Sequence, residues 1–104
     1  MKDFKDLCND LKEHLINLGF TCNTSRSKNI VDFYLGNYEL ISVEIRYENI
    51  WYRTYPNNED KWDKFYGATQ DDFSYIKELA VRLVKMYKHK QVALAKKEIE
   101  KDFQ

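Results

Sequence analysis

Between Phe20 and Tyr55 apolar and polar residues alternate with a period of two, and on either side the period lengthens to that of a helix. Period two belongs to strands with one buried face, whereas spacings of three and four mark an amphipathic helix. A chain of 104 residues has room for one core, so both helical segments are expected on the same side of the strands. The pattern predicts a single α+β domain over residues 1–104. Its parts are an N-terminal helix, an antiparallel meander of three or four strands, and a long C-terminal helix, or two helices, packed on one sheet face.

Phe4, Leu7, Cys8, Leu11, Leu15 and Leu18 form the apolar stripe of a helix over 3–18, with Lys5, Asn9, Lys12, Glu13 and Asn17 on the other side. Asp3 stands at an N-cap position and Gly19 where a left-handed C-terminal residue belongs. His14, at the stripe's edge, reads as a packed or half-exposed residue.

In the meander, Phe20, Cys22 and Thr24 lead to a turn at 25–29, after which Val31, Phe33 and Leu35 alternate with Asp32 and Tyr34. Beyond a turn at 36–39, Ile41, Val43, Ile45 and Tyr47 alternate with Ser42, Glu44 and Arg46, and a tight turn at Glu48-Asn49 leads into 50–55. A one-residue slip moves every side chain across the sheet, so burying both apolar sets predicts an odd-length first turn, with Phe33 opposite Val43 and Asp32 opposite Glu44. The second turn then sets Ile45 opposite Tyr52, Glu44 opposite Arg53 and Arg46 opposite Trp51. Tyr34, Glu44, Arg46, Trp51, Arg53 and Tyr55 gather on the outer face with Asp32 and Ser42. Tyr, Trp and Arg are favoured interface anchors, which makes those six the candidate binding residues.

Residues 56–69 read as a loop in which Trp62, Phe65 and Tyr66 are spaced for one helical turn. Thr69 and Asp72 resemble a capping box with Asp in place of Glu, so the last helix starts near Gln70. Run to the end, more than thirty residues span about 50 Å at about 1.5 Å each, against a radius of gyration of about 13 Å for a compact domain of this size. Its apolar stripe also turns: Ile76, Leu79, Ala80, Leu83 and Tyr87 share one face, while Val92, Ala95, Ile99 and Phe103 share another, about a third to half a turn away. Either the helix breaks at 88–91 and folds back, or residues 91–104 protrude. No Gly or Pro marks a break, which favours protrusion. Val92, Ala95, Ile99 and Phe103 then become the expected contact with a second copy or another protein.

Lys+Arg and Asp+Glu balance at 17 each, leaving no global field to draw in nucleic acid or an anionic membrane. The N-terminus has no signal-peptide apolar region and no stretch is long enough to span a bilayer; a cytoplasmic protein is expected. Cys8 and Cys22 are the only cysteines and, with His14 and His89, lack the paired short spacings of a zinc site. There is no P-loop, dinucleotide-binding glycine motif or nucleophile elbow, so no cofactor, metal or catalytic residue is assigned.

Asp32, Glu44 and Arg46 come nearest to a chemical motif. An Asp on one strand followed on the next by Glu-x-cation looks like the metal-binding hairpin of PD-(D/E)xK nucleases, and the resemblance implies Mg²⁺ held between Asp32 and Glu44. It covers about fifteen residues. Arg46 stands in the lysine position, no proline precedes Asp32, and no further strand follows the last helix. The order helix, meander, helix also resembles that of double-stranded RNA-binding domains, but Asp71 and Asp72 open the last helix where those domains place lysines. Trp51, Tyr34 and Tyr55 beside Arg46 and Arg53 offer a third alternative, the stacking of single-stranded bases. The reading that takes in most features is a small macromolecule-binding protein acting by protein–protein interaction. Abundant Lys, Asn, Ile and Tyr, all with AT-rich codons, fit an inhibitor or regulator of anti-defence type from a phage or mobile element.

Overall fold

A computed structural model of the chain describes residues 3–57 and 61–102, with side chains through Lys96. Helix α1 (Phe4–Leu18) is followed by strands β1 (Thr21–Thr24), β2 (Ile30–Leu35), β3 (Tyr38–Glu44), β4 (Asn49–Tyr52) and β5 (Asp63–Phe65), and then by α2 (Gln70–Asp102). The strands form one antiparallel sheet in sequential order. This is the expected α+β architecture with one strand more. The fifth lies in the stretch read as a loop with a helical turn: Phe65 pairs with Ile50 and stacks on Tyr52 with ring centroids 5.0 Å apart. Three residues are too few to display a period.

Helix α1 starts and stops, and α2 starts, as the residues at those ends dictate. Asp3 Oδ1 accepts the Asp6 N–H at 2.9 Å, and at the other end the Gly19 and Phe20 amides bond the Ile16 and Leu15 carbonyls. At α2, Thr69 N–H donates to Asp72 Oδ2 and Asp72 N–H to Thr69 Oγ1, a reciprocal cap. Cys8, Leu11 and Leu15 of α1 and Phe73, Ile76, Leu79, Ala80 and Leu83 of α2 are buried in one core with Val31, Phe33, Ile41, Val43 and Ile50 of the sheet. The two helices meet edge to face through Phe4 and Phe73, 5.2 Å apart.

The hairpin β2–β3 solves the facing problem in a way the pattern did not predict. Its turn has two residues, Gly36 and Asn37, with Leu35 opposite Tyr38 and Tyr34 opposite Glu39. Gly36 has a φ of 60°, the conformation that the first central residue of a type II′ hairpin turn requires. Continued without interruption, this register would place Ile41 opposite Asp32. The ladder instead shifts at Phe33 and Tyr34: Leu40 and Ile41 together oppose Phe33, a β-bulge, and both are fully buried. Beyond the bulge Val31 faces Val43 and Asp32 faces Ser42, two residues from the expected pairing. The next turn occupies Ile45–Glu48, so that Ile41 faces Tyr52 and Ser42 faces Trp51, a displacement of four. Even displacements keep each side chain on its face. The faces are therefore as expected and the neighbours are not.

Helix α2 is unbroken through 88–91. Tyr87 meets Tyr38 edge to face at 6.2 Å, and Lys90 Nζ donates to the Pro56 carbonyl at 3.2 Å. From Gln91 to Lys96 every residue is exposed, and the molecule measures 58 × 26 × 24 Å. No helix among the described residues is long and apolar enough to cross a membrane.

A Cβ on Gly36 would lie 2.5 Å from Tyr87 Oη as well as holding a left-handed backbone. Gly36→Ala is expected to destabilise the protein by at least about 1–2 kcal/mol, measured by urea denaturation. An unchanged midpoint would show that the turn is not of this type.

Candidate functional site

Because α1 and α2 both lie on the inner face, the outer face of the sheet carries no helix among the described residues. Its centre is built from cross-strand neighbours. Asp32, Ser42, Trp51 and Lys64 follow one another across β2, β3, β4 and β5. Ser42 Oγ donates to Asp32 Oδ1 at 2.7 Å, and the Trp51 indole N–H donates to the Glu44 carboxylate. The Lys64 ammonium lies 4.0 Å from the Trp51 ring centroid and 4.3 Å from that of Tyr66, within the range of cation–π attraction.

A second cluster adjoins it where the two-residue turn has placed Glu39 opposite Tyr34. Arg53 extends β4, its N–H bonding the Leu40 carbonyl at 2.9 Å. Its guanidinium lies 4.4 Å from the Trp62 ring centroid, and Nη1 donates to the Asn57 carbonyl at 3.1 Å. Burial, the neighbouring Asp32 charge and a side-chain hydrogen bond to Asp32 push the Glu39 carboxyl above the usual glutamate range, while Arg53 opposes the shift. The Tyr34 phenol is raised by burial and by the Glu39 and Asp32 charges, against a hydrogen bond from Asn23.

Of the residues expected on this face, Tyr34, Glu44, Trp51 and Arg53 occupy it. Arg46 does not: it lies in the Ile45–Glu48 turn, its guanidinium 5.7 Å from the Tyr47 ring centroid. Tyr55 does not either; it lines a groove beside α2 with Lys85, Met86 and His89. The paired carboxylates implied by the nuclease resemblance are also rearranged. Glu44 faces Ile30 and Asn49, and the carboxylate that reaches Asp32 is Glu39. Among the described residues no group of three or more His, Cys, Asp and Glu is placed to hold a metal ion.

Glu39, Trp62, Lys64 and Tyr66 are members of this face that the alternating pattern missed. The spacing of two from Trp62 to Tyr66 was the available signal, and it coincided with a plausible helical turn. Elsewhere, Val92 and Ala95 are exposed on the free part of α2. The side chain of Ile99, and Phe103 altogether, lie outside the described residues. No family model, curated protein or solved structure matches the chain.

Since Glu39 keeps its proton to higher pH in the folded protein than in the unfolded chain, its ionisation lowers stability as pH rises through the folded value. Glu39→Gln is therefore expected to raise the melting temperature at pH 7, with a gain that shrinks as the pH falls below the ordinary glutamate range. A gain of equal size at pH 7 and pH 3.5, notwithstanding the normal titration of glutamate near 4.3, would mean that the effect is not electrostatic.

Proposed function

We propose that this chain is a protein-binding module that docks its outer sheet face on another protein and acts as an inhibitor or regulator. The observation that carries the reading is the uncovered face itself, where Trp51, Trp62, Tyr66 and Tyr34 are interleaved with Lys64 and Arg53. Large aromatic and Arg side chains that are already held in place lose little entropy on binding. The same face carries the carboxylates of Asp32, Glu39 and Glu44, so its charges are mixed. A mixed surface suits the equally mixed surface of a protein. A phosphate backbone would meet the three carboxylates unfavourably, and the cations over Trp51 and Trp62 occupy ring faces on which bases would stack. Abundant Lys, Asn, Ile and Tyr, residues with AT-rich codons, support a source in a phage or mobile element, with anti-defence activity as the corresponding role.

Affinity capture from the native host identifies the partner. Replacing Trp51 and Arg53 together by Ala then tests the face: a folded variant is expected to bind about 30-fold more weakly or worse, the loss of about 2 kcal/mol that marks a hot spot. Wild-type affinity in that variant removes the site.

The free end of α2 supports a second contact, with another copy of the chain. Val92 is 54% exposed and Leu94 49%, on a stretch that leaves the core. Val92→Asp with Ala95→Asp is expected to convert a dimer into a monomer in light scattering. A wild-type protein that is already monomeric at high concentration contradicts self-association.

A further inference from the structure

On the inner side of the sheet, away from the proposed docking face, a cleft of about 380 Å³ opens between α1 and the β1–β2 hairpin. That volume lies in the range of roughly 300–1,000 Å³ typical of small-molecule sites. Its floor is apolar, made by Cys8, Val31 and Ile45, and its rim carries Lys5, Lys12 and Lys28. Lys5, Cys8 and Lys12 share one side of α1 because residues three, four and seven apart stand above one another on a helix. Lys28 approaches from the opposite wall. It holds a φ of 60°, and its N–H bonds the Ser25 carbonyl at 2.9 Å, which fixes the turn at the mouth of the cleft.

The charge distribution is uneven for a chain whose cations and anions balance at 17 each. Three lysines line the cleft and, among the described residues, no carboxylate does. Like charges around a half-enclosed apolar space raise the local positive potential, and a bound anion relieves their repulsion. Burial pushes the Cys8 thiol up to about 11, with Cys22 adding to the shift and Lys12 opposing it. At neutral pH the floor is thus an uncharged thiol beside two aliphatic side chains. Asn9 and Thr24 complete the rim with groups able to donate hydrogen bonds.

We propose that this cleft binds a small organic anion, its charged head group held by Lys5, Lys12 and Lys28 and its apolar body seated on Cys8, Val31 and Ile45. Neither half of the site suffices alone, since surface lysines bind free anions weakly and the floor is small. The site is independent of the docking face, which lies across the sheet.

The test is a ¹H–¹⁵N titration of the full chain with octanoate and with phenyl phosphate, which differ in head group, and with inorganic phosphate and benzyl alcohol, which supply head or body alone. Octanoate or phenyl phosphate is expected to shift the amides of Asn9, Thr24 and Lys28 saturably. The isolated head and body should bind about tenfold more weakly or worse. In Lys12→Gln with Lys28→Gln, exposed-rim changes that leave the core intact, affinity should fall about tenfold or more, as expected for lost charge-assisted contacts. Linear, non-saturating shifts, shifts centred elsewhere, or unchanged affinity in the double variant would overturn the proposal.

Discussion

Val31, Phe33 and Leu35 of β2, Ile41 and Val43 of β3 and Ile50 of β4 must face the helices together, because among the described residues the helices cover only one side of this sheet. Fully burying an aliphatic or aromatic side chain of this kind stabilises a fold by about 1.5–3 kcal/mol, so a register that turned one strand's set outward would forfeit most of the core. The two-residue turn at Gly36 cannot by itself meet that demand, since it brings Ile41 to the side of Asp32. The bulge at Leu40 and Ile41 restores the facing by spending one extra residue, and both of its members are fully buried. Its cost is one interrupted rung of the ladder. The same device determines the outer face, because beyond the turn it brings Ser42, and not Ile41, opposite Asp32.

A sheet covered on one side leaves the other to be stabilised by its own side chains. Here that is done with cross-strand pairs whose hydrogen bonds and cation–π contacts join all four strands from β2 to β5. Such a surface is ordered before any partner arrives. Helix α2 follows the opposite course. Its core stripe ends with Tyr87 and Lys90 against Tyr38 and Pro56, yet the helix continues to Asp102. Leu94 lies eleven residues beyond Leu83, within about 20° of the same side at 100° per residue. Leu94 thus returns to the core side after the sheet has ended, while Val92 and Ala95 lie on another.

The sequence makes the elements legible where a period repeats several times. The α1 stripe from Phe4 to Leu18, both helix caps and the facing of β2 and β3 could all be read from spacing alone. Neighbours across the strands could not, because alternation is unchanged by any even displacement: shifts of two and four residues leave Trp51 and Glu44 on the outer face while altering what each touches. Alternation also ran past the end of β3. Ile45 remains packed against the core from within a turn, so its apolar character disguised the turn and drew Arg46 and Tyr55 into the wrong group. Lys64 is hidden in a three-residue strand, and Glu39 is hidden because the turn expected over 36–39 closes in two residues.

The facing of β3 beyond its bulge, and with it the proposed docking surface, follows from that one extra residue. Backbone cross-strand NOEs in the β2–β3 hairpin measure it directly. The structure predicts contacts joining Tyr34 to Glu39, Phe33 to Ile41 and Val31 to Val43. A ladder joining Asp32 to Ile41, or Phe33 to Val43, would contradict it.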